Sequence, residues 1–123
     1  MNRKPRLYLA GPYTKPDPVV NVRRACLVAD KLLAVGFSVY VPHILMLWHL
    51  VSPKPIEEWY AIDLEWLAAC DVMVRLTGES MGADREEEHA DSLGIDVFYG
   101  TVDDGVDCAI MGWLDAWRRR EEV

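Results

Sequence analysis

The chain has 123 residues, about half of them apolar, with 13 basic against 20 acidic side chains and a net charge of −7. That length suits one domain spanning residues 1–123 with a single sizeable core, and the composition is that of an ordinary soluble globular protein. The acidic balance argues against a nucleic-acid polymer as partner, because a duplex-binding face is broadly basic, whereas a single nucleotide needs only a few local donors.

In chain order, Arg6 to Ala10 reads as a first strand closed by Gly11 and Pro12. Asp17 and Pro18 form a helix cap with proline at the first helical position. Val22, Ala25, Cys26, Ala29, Leu32 and Leu33 recur at helical spacing, and Gly36 is a natural stop. Phe37 to Val41 is a second strand ended by Pro42. The stretch from His43 to Glu57 carries Pro53 and Pro55, and its first half is expected as a short helix or an apolar lid. Residues 57–69 form a second main helix and Asp71 to Arg75 a third strand. A Gly- and Ser-containing turn leads to a helix over residues 83–93, stopped by Gly94, then to a strand from Ile95 to Tyr99. Asp103 or Asp104 is expected to cap a last helix reaching Arg120, whose closing arginines suit the negative end of the helix dipole.

Strands alternating with helices predict an α/β fold, a flavodoxin/Rossmann-like three-layer sandwich with a four- or five-stranded parallel sheet. Ligands bind such sheets at the carboxyl ends of the strands. Gly11 to Lys15, with Thr14 among them, His43 and Thr77 to Gly82 all fall at that mouth. Asp71 starts its strand, so it belongs at the opposite end in a structural role. Asp63 lies eight residues upstream on a helix running back toward the mouth, which lifts it by about 12 Å. The turn from Thr77 to Gly82 gathers free backbone N–H groups into an anion site, with the acidic residues Glu86, Glu87 and Glu88 in the first turns beyond it.

Cys26, Cys70 and Cys108 are odd in number and widely spaced, and Cys26 and Cys70, in apolar helical patterns, read as buried free thiols. No Cys or His spacing calls for zinc, and no metal or redox cofactor is expected. The N-terminus runs straight into a strand, and no apolar stretch reaches membrane-spanning length. A cytoplasmic location without a membrane partner is the expectation.

Three pieces together resemble the nucleoside 2-deoxyribosyltransferase superfamily: Tyr8 to Tyr13; Asp63 to Leu67 followed by Cys70 to Val74; and Ser80 to Glu86, continuing to Ala90, Gly94 and Val97. They occur in the family's order and spacing over residues 6–99, and look most like the branch of 2'-deoxynucleoside 5'-monophosphate N-glycosidases. The resemblance implies that Glu86 is the nucleophile, four residues after Gly82, four before Ala90 and eight before Gly94. It implies that Asp63 binds the sugar and assists proton transfer, that Tyr8 lies beside the nucleophile, and that Ser80 helps to hold a 5'-phosphate. It also implies a homodimer or larger homo-oligomer. Where the monophosphate branch has Ser and Arg in the first loop, this chain has Thr14 and Lys15.

Cleaving an N-glycosidic bond passes through an oxocarbenium-like state that a carboxylate can stabilise and capture. The departing base needs a proton, for which Asp63 is the candidate. Water entering the site gives hydrolysis, and a second base gives transfer. The alternative is a non-catalytic nucleotide-binding module on the same fold. The substrate-side candidates are Gly11, Thr14, Lys15, His43, Ser80 and Gly82; His43 and His49 also read as ordinary loop or core residues.

Overall fold

The computed structural model describes residues 3–15, 17–100 and 107–121. Its elements, in order, are β1 (Arg6–Ala10), α1 (Pro18–Val35), β2 (Ser38–Tyr40), a 3-10 turn (Pro42–Leu45), α2 (Met46–Val51), α3 (Ile56–Ala68), β3 (Val72–Leu76), α4 (Met81–Ser92), β4 (Asp96–Gly100) and α5 (Cys108–Glu121). The four strands are parallel, in the order β2-β1-β3-β4. The chain is thus a flavodoxin/Rossmann-like α/β sandwich, and the order reverses direction between β1 and β3.

Alternation along the strands divides the core in two. Leu7, Leu9, Val72 and Val74 point to one face and pack with Ala25, Val28 and Leu32 of α1 and Ile110 and Leu114 of α5. Tyr8, Ala10 and Met73 point to the other and pack with Leu67 of α3 and Ala83 and Ala90 of α4. Every residue of β3 is buried, as expected of a central parallel strand covered on both sides. Its one charged residue, Arg75, is therefore a feature to be explained.

The local signals act as anticipated at several boundaries. Asp17 accepts hydrogen bonds from the amides of Val19 and Val20, with Pro18 opening α1. Gly36, at φ 126°, ends α1 by donating to the carbonyls of Leu32 and Leu33. Asp71 sits below the sheet, where its carboxylate accepts from the Arg3 guanidinium and the Arg6 amide. The long apolar stretch after β2 forms the 3-10 turn and α2. Two boundaries differ from expectation by more than one residue. The helix after the turn begins two residues early, at Met81, because Ser80 rather than a later residue caps it. Asp103 and Asp104 lie outside the described residues, and α5 begins at Cys108 with Asp107 accepting from the Ile110 amide.

Candidate active site at the carboxyl ends of the strands

A cavity of about 590 Å³ opens above β1 and β3. Two helical faces wall it on one side: Pro42, Leu45, Met46 and His49 from the 3-10 turn and α2, and Ile56, Trp59, Tyr60 and Asp63 from α3. Both sets follow the spacing of a single helix stripe. The β1–α1 loop contributes Gly11, Tyr13, Thr14 and Lys15, and the α4 entrance contributes Glu79 to Ala83 and Glu86.

At the sheet side lie two tyrosine–carboxylate pairs. Tyr8 and Tyr40 are partners in the β1–β2 register, and their rings stack at 5.4 Å. The Tyr8 hydroxyl donates to Oε2 of Glu86 from α4. The Tyr40 hydroxyl donates a longer bond, 3.5 Å, to Oδ1 of Asp63 from α3. Trp66 stacks on the outer side of Tyr40 at 5.7 Å and completes the aromatic ladder. Burial raises the Glu86 carboxyl from 4.5 to about 8. It raises Asp63 from 3.8 to about 6, partly offset by the bond from Tyr40, while burial and the Asp63 charge push the Tyr40 phenol upward. The site thus holds two carboxyl groups that retain protons far above the ordinary range, a condition common where acid–base chemistry occurs.

The loop above β1 is pinned from three directions. Nδ2 of the buried Asn21 donates to the carbonyls of Tyr13 and Lys15 at 2.9 and 2.8 Å. His43 Nε2 donates to the Pro12 carbonyl at 2.9 Å, leaving its buried Nδ1 without a partner. Burial lowers the His43 pKa, with the carbonyls of Pro12 and Gly11 opposing. Gly11 is required by close approach, since a Cβ there would lie 2.9 Å from Cβ of Leu76.

The opposite rim is organised by Arg75. Its guanidinium bonds Asp84 at 2.7 Å, the Gly78 carbonyl at 3.0 Å and, through Nε, the Leu76 carbonyl at 3.3 Å. One buried cation therefore ties the end of β3, the following turn and the first turn of α4 together. Ser80 Oγ accepts from the Ala83 amide at 3.0 Å. The amides of Met81 and Gly82 have no partner within the helix, which leaves two donors at the cavity edge. The cations lining the cavity are Lys15 and Lys54.

Of the residues singled out from sequence, Asp63, Glu86, Gly11, Thr14, Lys15, His43, Ser80 and Gly82 line this one cavity. Tyr8 lies fully buried beneath it and reaches it through Glu86. Thr77 is absent from the wall; its amide closes onto the Gly100 carbonyl. Arg85 turns away to Glu57 and the face of Tyr60. Sequence reasoning passed over Tyr40, Trp59, Tyr60, Asn21 and Arg75 as site-forming residues. The stripe 56, 59, 60 and 63 was a visible signal for part of the wall, but it looks the same as a core-facing stripe.

The profile of a family described as a domain of unknown function (DUF4406) matches residues 5–99. The chain belongs to the DUF4406 family. The DUF4406 span runs from the residue before β1 to β4 and contains every residue of the cavity wall and both tyrosine–carboxylate pairs. No curated protein matches the chain. Among the described residues no helix is long and apolar enough to cross a membrane, and no group of three His, Cys, Asp or Glu side chains is placed to hold a metal ion.

Proposed function

We propose that this DUF4406 protein cleaves the N-glycosidic bond of a (deoxy)nucleoside or its 5'-monophosphate, with Glu86 as nucleophile. The observation that carries the reading is the buried Glu86 carboxyl in the cavity lining, held by the Tyr8 hydroxyl, with the second raised carboxyl of Asp63 in the same lining.

In this reading the C1'–N bond breaks and its electron pair leaves with the base. Glu86 forms a bond to C1', and Asp63 delivers a proton to the departing nitrogen. An acceptor then attacks C1', releasing Glu86, and its proton goes to Asp63. In the empty site burial raises the Glu86 carboxyl to about 8, so its proton has to leave to solvent before the carboxylate can bond C1'. Positive charge growing on the sugar opposes that burial penalty, so the ionised carboxylate is stabilised where the transition state needs it. Asp63, raised to about 6, keeps its proton further toward neutrality than an ordinary aspartate does. A 5'-phosphate would meet Lys15, Thr14, Ser80 and the amides at the start of α4.

An apolar crown beside the cavity supports a homo-oligomer: Leu47, Leu50 and Val51 of α2 are 66–86% exposed, and Ile44 and Ile56 flank them. The free thiols, with Cys26 and Cys70 half-buried rather than buried and Cys108 exposed, suit a reducing compartment such as the cytoplasm. A neutral Glu86 also suits a non-catalytic nucleotide binder, and one experiment separates the two. Base release from deoxynucleosides and their 5'-monophosphates is followed by chromatography for wild type and Glu86→Gln, with and without an acceptor base. Release by wild type alone supports cleavage. No release by either, with binding retained, supports the binder.

A further inference from the structure

Two histidines line the cavity, and their hydrogen bonds leave them in different states. His43 commits its Nε2–H to the Pro12 carbonyl. In His49 the committed atom is Nδ1, which accepts from the Trp59 indole N–H at 2.8 Å and from the Lys54 amide at 3.3 Å. A ring nitrogen that accepts cannot carry a hydrogen, so the neutral His49 ring has its proton on Nε2. That tautomer is set by protein neighbours rather than by solvent. His49 Nε2 has no partner among the described residues and is not sealed from solvent.

The surroundings restrict what that donor can meet. Trp59 packs edge-on to both His49 and Trp48, at 5.7 and 5.0 Å, so the ring is held in an aromatic corner. Leu45, Met46, Ile56 and Trp59 make this wall largely apolar; its polar groups are the His49 N–H and the Lys54 ammonium, which bonds Ser52 Oγ and lies over the Trp48 ring. Glu79, Ser80 and Glu86, from around the start of α4, supply polar groups to the same lining, with Gly82 packed against the Tyr60 ring. A nucleoside has the same two-sided character: a flat aromatic base with acceptors in its plane, and a polar sugar.

We propose that His49 is the base-recognition residue of the site, its Nε2–H donating to an in-plane acceptor of the nucleobase, either a bare ring nitrogen or an oxo group. The assignment rests on the nucleoside reading given above. A fixed donor discriminates against a base that presents an amino group at that point, because two donors would face each other. During cleavage the same N–H faces electron density that grows on the departing base. Trp59 is the positioning residue, acting through Nδ1.

The test is titration calorimetry of wild type, His49→Phe, His49→Gln and Trp59→Phe against deoxynucleosides, the free bases and 2-deoxyribose 5-phosphate. It is paired with nitrogen-15 NMR of the His49 ring. The expected results are an Nε2–H tautomer in wild type and a shift of that resonance when base or nucleoside binds. Base and nucleoside affinity should fall about tenfold in His49→Phe and recover in part in His49→Gln, with sugar phosphate affinity unchanged. In Trp59→Phe an Nδ1–H population should appear, with weaker base binding. Base binding as tight in His49→Phe as in wild type overturns the proposal. Equal loss of base and sugar phosphate binding also overturns it, since that marks a structural role, as does a wild type that binds no base or nucleoside. Binding that depends on His49 without base release leaves this assignment standing and refutes the glycosidase reading instead.

Discussion

Replacing Glu86 by Gln should change how stability depends on pH, and the size of that change follows from the burial of one carboxyl. The folded state holds the Glu86 proton up to about pH 8, against an ordinary value of 4.5. Below 4.5 the carboxyl is protonated in both folded and unfolded chains and contributes no slope. Between 4.5 and about 8 the unfolded chain has lost the proton while the folded chain keeps it, so stability falls as pH rises. Each pH unit in that window removes about 1.4 kcal/mol, and the full window about 5 kcal/mol. Glutamine keeps the shape and can still accept from Tyr8, but it does not titrate. Wild type should therefore lose about 3 kcal/mol relative to Glu86→Gln between pH 5 and pH 7. Asp63 titrates in both proteins and cancels in the difference. Urea unfolding followed by circular dichroism at pH 5, 6, 7 and 8 measures the effect. Parallel pH profiles for the two proteins would refute the claim that the folded chain buries a neutral Glu86.

If Glu86 acts ionised and Asp63 acts protonated, kcat/KM for base release should rise up to about pH 6, stay level, and fall above about pH 8. Asp63→Asn should then abolish the fall above pH 8, and a pH–rate profile retaining it would assign the proton donor elsewhere. Arg75→Met should destabilise the fold by about 1–3 kcal/mol, from hydrogen bonds lost at the Leu76 and Gly78 carbonyls. The larger cost of orphaning a buried charge is limited, because the ion-pair partners of Arg75, Asp84 and Glu87, keep 70% and 25% of their side chains exposed; chemical denaturation would show which regime holds. Gly36→Ala should cost about 1 kcal/mol or more by the same measurement, since φ is 126° there and the added Cβ would meet the Arg118 guanidinium.

Much of the scaffold was written in local signals. The cap at Asp17, the stop at Gly36, the all-apolar start of β3 and the Gly/Ser turn each act within a few residues of themselves, so a linear reading can find them. The alternation of strand and helix then leaves few topologies, and the rule that ligands bind at strand carboxyl ends brings Gly11, His43 and Ser80 to one mouth. Even the separation of Asp63 from Asp71 followed from helix rise alone, one at the cavity and one below the sheet.

What the tertiary structure decided is which side chains face each other across elements far apart in the chain. Tyr40 sits in a three-residue strand with ordinary core character, and only parallel pairing with β1 stacks it on Tyr8 and brings its hydroxyl to Asp63. The tautomer of His49 depends on a tryptophan ten residues away, beyond two prolines whose path no local rule specifies. The protonation of Glu86 is likewise a tertiary property. The acidic run Glu86 to Glu88 looks uniform in sequence, yet packing sends Glu86 inward and leaves Glu88 exposed. Local sequence sets backbone geometry through sterics and capping, whereas tautomer and charge respond to solvent exclusion and to neighbours that only the folded chain assembles.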